Sequence, residues 1–160
     1  MNDPDERLQR LQSTLEDEGV EHFDADELGR LNAPSWDGPD FCLPEPPKLF
    51  RIVPTARLAD AIREQWGGAV EVVSGYRPEA YNRLIGGARR SQHIAFRALD
   101  LKPAESFDVE AYFDVVTAVV AGARATGANV GLGLYYDGRG RFAHVDVGSD
   151  TGFNRAWTRR

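Results

Sequence analysis

Two of the chain's three histidines stand near acidic residues at spacings that could build a metal site. His93 is followed seven residues later by Asp100, and His144 lies in the run Phe142-Ala143-His144-Val145-Asp146-Val147. If that run is a strand, Ala143, Val145 and Val147 share one face, fit for a core, while Phe142, His144 and Asp146 share the other. In the apolar run before it, Gly131 and Gly133 alternate with Val130, Leu132 and Leu134, which opens room beside the imidazole. Two neutral imidazoles and one carboxylate suit Zn²⁺, with bonds of about 2.0–2.2 Å and a fourth position left for water. Zinc lowers the pKa of such a water to about 7 and polarises a scissile carbonyl. The residue types alone leave other readings open. A histidine on a strand is often just a hydrogen-bonded polar residue. His144-x-Asp146 with a further histidine is also the composition of a non-haem Fe(II) site, although there the distal histidine normally follows the pair, and here His93 precedes it. The single cysteine, Cys42, can form neither an internal disulfide nor a thiolate cluster, so any metal must rest on histidine and carboxylate.

The elements that must position these residues read as α+β, a small antiparallel sheet flanked by helices. Leu8, Leu11 and Leu15 recur at helical spacing, so residues 4–18 predict an amphipathic helix ending at Gly19, and residues 1–19 are expected to form an N-terminal helical arm. Residues 20–160 form the remaining domain. Within it, 32–48 hold five prolines and read as an extended wrapping segment. Pro54 opens a helix running to Trp66, stopped by Gly67-Gly68. Val70, Val72 and Val73 predict a buried strand leading into Ser74-Gly75-Tyr76-Arg77. A short helix over 78–85, a strand over 97–102 and a long helix over 108–126 follow. Strands over 130–136 and 141–148 are joined by Asp137-Gly138, a hairpin signal.

Composition narrows the function classes. At 160 residues the chain suffices for one domain with a core of its own. The net charge of −6 divides into −9 over residues 1–50 and +3 over 51–160, and the acidic first third argues against general nucleic-acid binding. Between Arg77 and Leu99 the balance reverses: Arg77, Arg83, Arg89, Arg90 and Arg97 face Glu79 alone. This is either a solvated basic surface or a field that attracts a carboxylate substrate. No apolar run approaches a membrane span. The opening MNDPDERLQRLQ lacks the basic and apolar regions of a secretory signal. The expectation is therefore synthesis in the cytoplasm, with any action outside it following lysis or a non-classical route.

Several ordered motifs together resemble the zinc D-alanyl-D-alanine carboxypeptidases, in the branch that includes cell-wall hydrolase and phage endolysin domains with the hedgehog-like zinc peptidase fold. They are Ser74-Gly75-Tyr76-Arg77, Tyr81-Asn82-Arg83, Gly86-Gly87-Ala88, Ser91-Gln92-His93 with Ala98 and Asp100, Gly131-Leu132-Gly133-Leu134-Tyr135, and His144-Val145-Asp146-Val147-Gly148. The likeness runs from about Val20 to Gly148. It implies a Zn²⁺ cofactor held by His93, Asp100 and His144, and hydrolysis of peptidoglycan stem peptides or crosslinks that contain D-amino acids. It further implies that Arg77 pairs with a substrate carboxylate and that Ser91 and Tyr135 line the substrate. The chain departs from the family pattern twice. Phe96 stands where glycine is usual, and could crowd the site or reshape its wall. Arg141 stands where many relatives carry a glutamate base. Asp146 is the local substitute, either as base or as a group orienting His144. A ligand pair in which Asp146 replaces His144 is the less favoured assignment. Loss of the glutamate also keeps open a catalytically silent module that binds zinc and cell-wall peptides. His22 is assigned no role, Cys42 reads as a packed small residue, and Trp36 and Trp157 read as lids or packing groups.

Overall fold

The computed structural model describes residues 3–160. Its helices are α1 (Pro4–Asp17), α2 (Ala25–Leu28), α3 (Pro46–Leu49), α4 (Val53–Trp66), α5 (Glu79–Leu84) and α6 (Val109–Ala125). Its strands are β1 (Val70–Ser74), β2 (Ala98–Pro103), β3 (Val130–Asp137), β4 (Gly140–Val147) and β5 (Ala156–Arg159). The sheet order is β1-β2-β4-β3-β5. The first three pairings are antiparallel, and β5 joins β3 in parallel. The α+β expectation therefore holds, with one parallel edge added.

Local chemistry explains the boundaries. Asp3 caps α1 by accepting from the Asp5 N–H, and Pro4 opens its first turn. Gly67, at φ +78°, closes α4 in the left-handed conformation that glycine adopts without strain. The Asp108 carboxylate accepts from the Ala111 N–H to start α6. Helices α4 and α6 pack on one another and on one face of the sheet. There Ile62, Tyr112 and Val116 meet Leu99, Leu101, Ala143 and Val145, all fully buried. Thr55 of α4 ties this layer to the sheet: its hydroxyl donates to the Arg97 carbonyl and accepts from the Val147 N–H.

Two expectations need correcting. The N-terminal helix lies against the domain rather than extending as an arm, because Leu11 and Leu15 are fully buried in the common core. Arg7 of the same helix donates to the Leu43 carbonyl and pairs with Glu45 at 3.1 Å, stapling α1 to the proline-rich segment. That segment is extended over most of its length, but Pro46–Leu49 closes one helical turn, since proline is tolerated where N–H groups lack partners anyway.

Candidate metal centre

The face of the sheet away from α4 and α6 carries the chemistry. Strand register aligns Ser74, Asp100, His144, Gly133 and Trp157 in one row across all five strands. Ala98, Asp146 and Gly131 form part of the next row. A bulge between Val72 and Ser74 shifts β1 by one residue, placing Ser74 opposite Asp100 and sending the chain into Gly75 and Arg77. His93 arrives from the turn between α5 and β2. Its backbone N–H donates to the Ser91 hydroxyl at 3.2 Å, and its carbonyl accepts from the Arg77 N–H at 3.2 Å.

Three donor atoms converge. Asp100 Oδ1 lies 3.2 Å from His93 Nε2 and 2.9 Å from His144 Nδ1. The His93, Asp100 and His144 donor atoms all lie within 4.8 Å of one another, and all three residues are buried. The outward atoms are also engaged. His93 Nδ1–H donates to the Gly75 carbonyl at 2.7 Å, Asp146 Oδ2 sits 2.8 Å from His144 Nε2, and Arg77 Nη2 donates to Asp100 Oδ2 at 2.8 Å.

Burial, helped by the Arg77 charge, pushes the His93 imidazole down to about 4, against the pull of Asp100, so it is neutral at pH 7. A carbonyl can only accept, so the one ring proton sits on Nδ1 against Gly75. The bare Nε2 then faces a carboxylate oxygen, and two acceptors at 3.2 Å are satisfied by a cation between them. Burial would raise the Asp100 carboxyl, but the two imidazoles overcome it and hold it well below the usual range. Burial would lower His144, but the bonds and charges of Asp100 and Asp146 on either side overcome it and raise it. Two imidazole nitrogens, one carboxylate oxygen and an engaged far nitrogen on each ring fit Zn²⁺. Among the described residues no fourth histidine, cysteine or carboxylate joins the trio, which is the composition of a site open to substrate.

The family model for peptidase M15 matches residues 21–146, most of the chain and every member of this cluster. The chain belongs to the peptidase M15 family. None of the curated proteins compared with it matches. Peptidases of this family are zinc enzymes, in keeping with the His-Asp-His cluster.

The other expected site residues of this M15 peptidase fall as follows. Arg77 stands at the cluster's edge, its Nε donating to Ser74 Oγ at 2.8 Å and its Nη2 engaged by Asp100. Ser91 caps the turn that presents His93. Tyr135 stacks on Phe142, with ring centroids 4.5 Å apart, and its hydroxyl accepts from Trp157 Nε1 at 2.9 Å. Asp146 is fully buried beside the far nitrogen of His144, away from the converging donor atoms. Arg141 is exposed and lies over the Tyr136 ring. Phe96 does not crowd the site. Its ring is fully buried in the core, edge-on to Tyr76, and its backbone sits at φ +54°. That left-handed conformation is the physical reason a glycine suits the position.

The two strand glycines make room, though not directly for the imidazole. A Cβ on Gly131 would come within 2.4 Å of Asp146 Oδ2, and one on Gly133 within 2.4 Å of the Trp157 indole. Sequence reasoning missed Arg155, whose Nη2 donates to both Asp146 oxygens at 2.8 and 2.9 Å. No spacing or motif announces it, because its nearness to Asp146 exists only once β5 lies beside β3. No helix among the described residues is long and apolar enough to cross a membrane.

Proposed function

We propose that this chain is a zinc peptidase acting on peptidoglycan stem peptides or crosslinks, at a bond with a D-residue on at least one side. The observation that carries the metal reading is the bare His93 Nε2 turned onto Asp100 Oδ1 beside His144 Nδ1. His93, Asp100 and His144 hold the zinc. When bound, zinc acts as a Lewis acid towards the scissile carbonyl and acidifies water. The protein's own residues then do the positioning. Gly75 fixes the His93 ring, Asp146 fixes the His144 ring, and Arg77 holds Asp100 with one arm of its guanidinium. Nη1 of Arg77 has no partner among the described residues and is the group offered to a substrate carboxylate, helped by the exposed basic run of Arg83, Arg89 and Arg90. The peptidoglycan substrate rests on the motif resemblance and on this basic edge.

Two observations favour a second reading, a module that binds zinc and cell-wall peptides without cutting them. The position of the usual glutamate is an exposed arginine, and Asp146 is held by His144 and Arg155, its carboxyl kept below the usual range against the pull of burial. The test is metal content by elemental mass spectrometry on wild type, His93→Ala and His144→Ala, followed by hydrolysis of purified stem peptides and crosslinked dimers. About one zinc per chain, lost in both variants, with peptide cleavage supports the peptidase. Zinc without cleavage supports the silent module, and wild type without zinc removes both.

A further inference from the structure

Beyond residue 146, where the family match ends, the chain turns back through Gly148 (φ +77°) and Asn154 (φ +49°) and adds β5 along β3. This return is stitched in place. The Asn154 side chain accepts from the Val130 N–H at 3.0 Å, while its own N–H donates to Asn129 Oδ1 at 2.8 Å. The Arg155 carbonyl accepts from the Leu132 N–H and from Arg124 Nη2, each at 2.9 Å. So held, the return directs two side chains at the metal centre, Arg155 immediately ahead of β5 and Trp157 within it. Trp157 crosses Gly133 and lies 5.1 Å from His144, ring centroid to ring centroid. Arg155 reaches Asp146 beside Gly131, with its guanidinium carbon 5.6 Å from the Trp157 ring centroid.

We propose that Arg155 is a positioning residue of the metal centre: it locks the buried Asp146 carboxylate against His144 Nε2 and thereby aims Nδ1 of His144 at the metal. The inference rests on the metal reading given above. The chain of contacts is continuous, from Arg155 Nη2 to both Asp146 oxygens, from Asp146 Oδ2 to His144 Nε2, and from His144 Nδ1 towards Asp100. Without Arg155, a wholly buried carboxylate keeps only the imidazole as partner and is free to turn. Removing a direct partner of a ligand, here Asp146, changes metal affinity about 10–100-fold, and loss of Arg155 acts through that partner. Arg155 makes both bonds through one nitrogen, so a lysine ammonium can take its place.

The test is cobalt(II) affinity, measured by chelator competition, with the visible spectrum of the bound ion as a second readout. The proteins are full-length wild type, Arg155→Met, Arg155→Lys, Asp146→Asn and the Asp146→Asn/Arg155→Met double variant. The proposal expects Arg155→Met to weaken binding at least 10-fold with an altered spectrum, and Arg155→Lys to stay within about 3-fold of wild type. It also expects Arg155→Met to cost less than about 2-fold more once Asp146→Asn is present, because the arginine acts through that carboxylate. If Arg155→Met alone does not fold, the double variant against Asp146→Asn puts the same question without an unpaired buried charge. Unchanged affinity and spectrum in Arg155→Met, or a loss that adds in full to that of Asp146→Asn, overturns the proposal and leaves the metal centre standing. A wild type that takes up no cobalt overturns the metal centre and the proposal with it.

Discussion

Replacing Phe96 separates two explanations of the residue that most departs from the family pattern. If the ring crowded the zinc site, Phe96→Gly would restore the usual residue and improve metal binding or turnover. The structure places the ring in the core at 0% exposure, on a backbone at φ +54°. Two opposing terms then apply. Losing a buried phenylalanine side chain costs about 3–5 kcal/mol. Relieving the left-handed conformation returns about 1–2 kcal/mol, but only if the Cβ goes as well. Phe96→Ala should therefore lose the full 3–5 kcal/mol or so. Phe96→Gly should lose roughly 2–4 kcal/mol, making the smaller side chain the more stable by about 1 kcal/mol. With a urea slope of about 2 kcal/mol/M, the glycine variant should unfold at a midpoint about 1–2 M below wild type, and the alanine variant lower still. Zinc per folded chain should equal wild type in both. Phe96→Gly as stable as wild type, or Phe96→Ala more stable than Phe96→Gly, would refute the reasoning.

Three further outcomes follow from the same geometry. Gly131→Ala should weaken zinc binding about tenfold or more, because the new methyl displaces Asp146, whereas Gly133→Ala should move Trp157 and leave one zinc per chain; chelator competition and tryptophan fluorescence distinguish the two. In chelator-treated protein, the urea midpoint should fall as pH drops from about 6.5 to about 4: the unfolded chain protonates His93 in that window and the folded chain does not, an effect of at most about 3 kcal/mol. His144, shifted upward, already holds its proton in both states below its ordinary value of 6.5, and the lowered Asp100 and Asp146 lose their contribution only below about 3.8, so neither masks the trend. Deleting residues 1–19 exposes the pockets of Leu11 and Leu15, worth about 1.5–3 kcal/mol each; calorimetry should show a large fall in melting temperature or no cooperative transition, whereas a free arm would leave it unchanged.

How far the sequence carried depends on whether the governing interaction is local. Helix ends with a proline, an aspartate or a glycine at the cap, and strands with clean alternation, were legible to within a residue or two: α4, α6 and the β3–β4 hairpin are examples. The shared face of His144 and Asp146 was legible as well, by strand period alone. Three features were not. The leucine stripe of α1 marks an apolar face but not the surface that covers it, so the docking of Leu11 and Leu15 on the common core was not legible. The left-handed backbone at Phe96 follows from the turn that delivers His93, a tertiary demand that the side chain itself opposes. β5 is four residues long and largely exposed, without the apolar alternation that marks a strand. Yet the arginine that holds Asp146 stands immediately ahead of this least legible element, and the pairing of β5 with β3 brings it into reach. The same contact bears on the choice between base and orienting group for Asp146. A carboxylate that accepts two bonds from one guanidinium nitrogen and a third contact from an imidazole, with no exposed surface, has both oxygens engaged and its carboxyl held below the usual range against the pull of burial. Such a group is suited to holding a ring still rather than to taking a proton from water, and Arg155, set in place by the pairing of the neighbouring β5 with β3, is what makes it so.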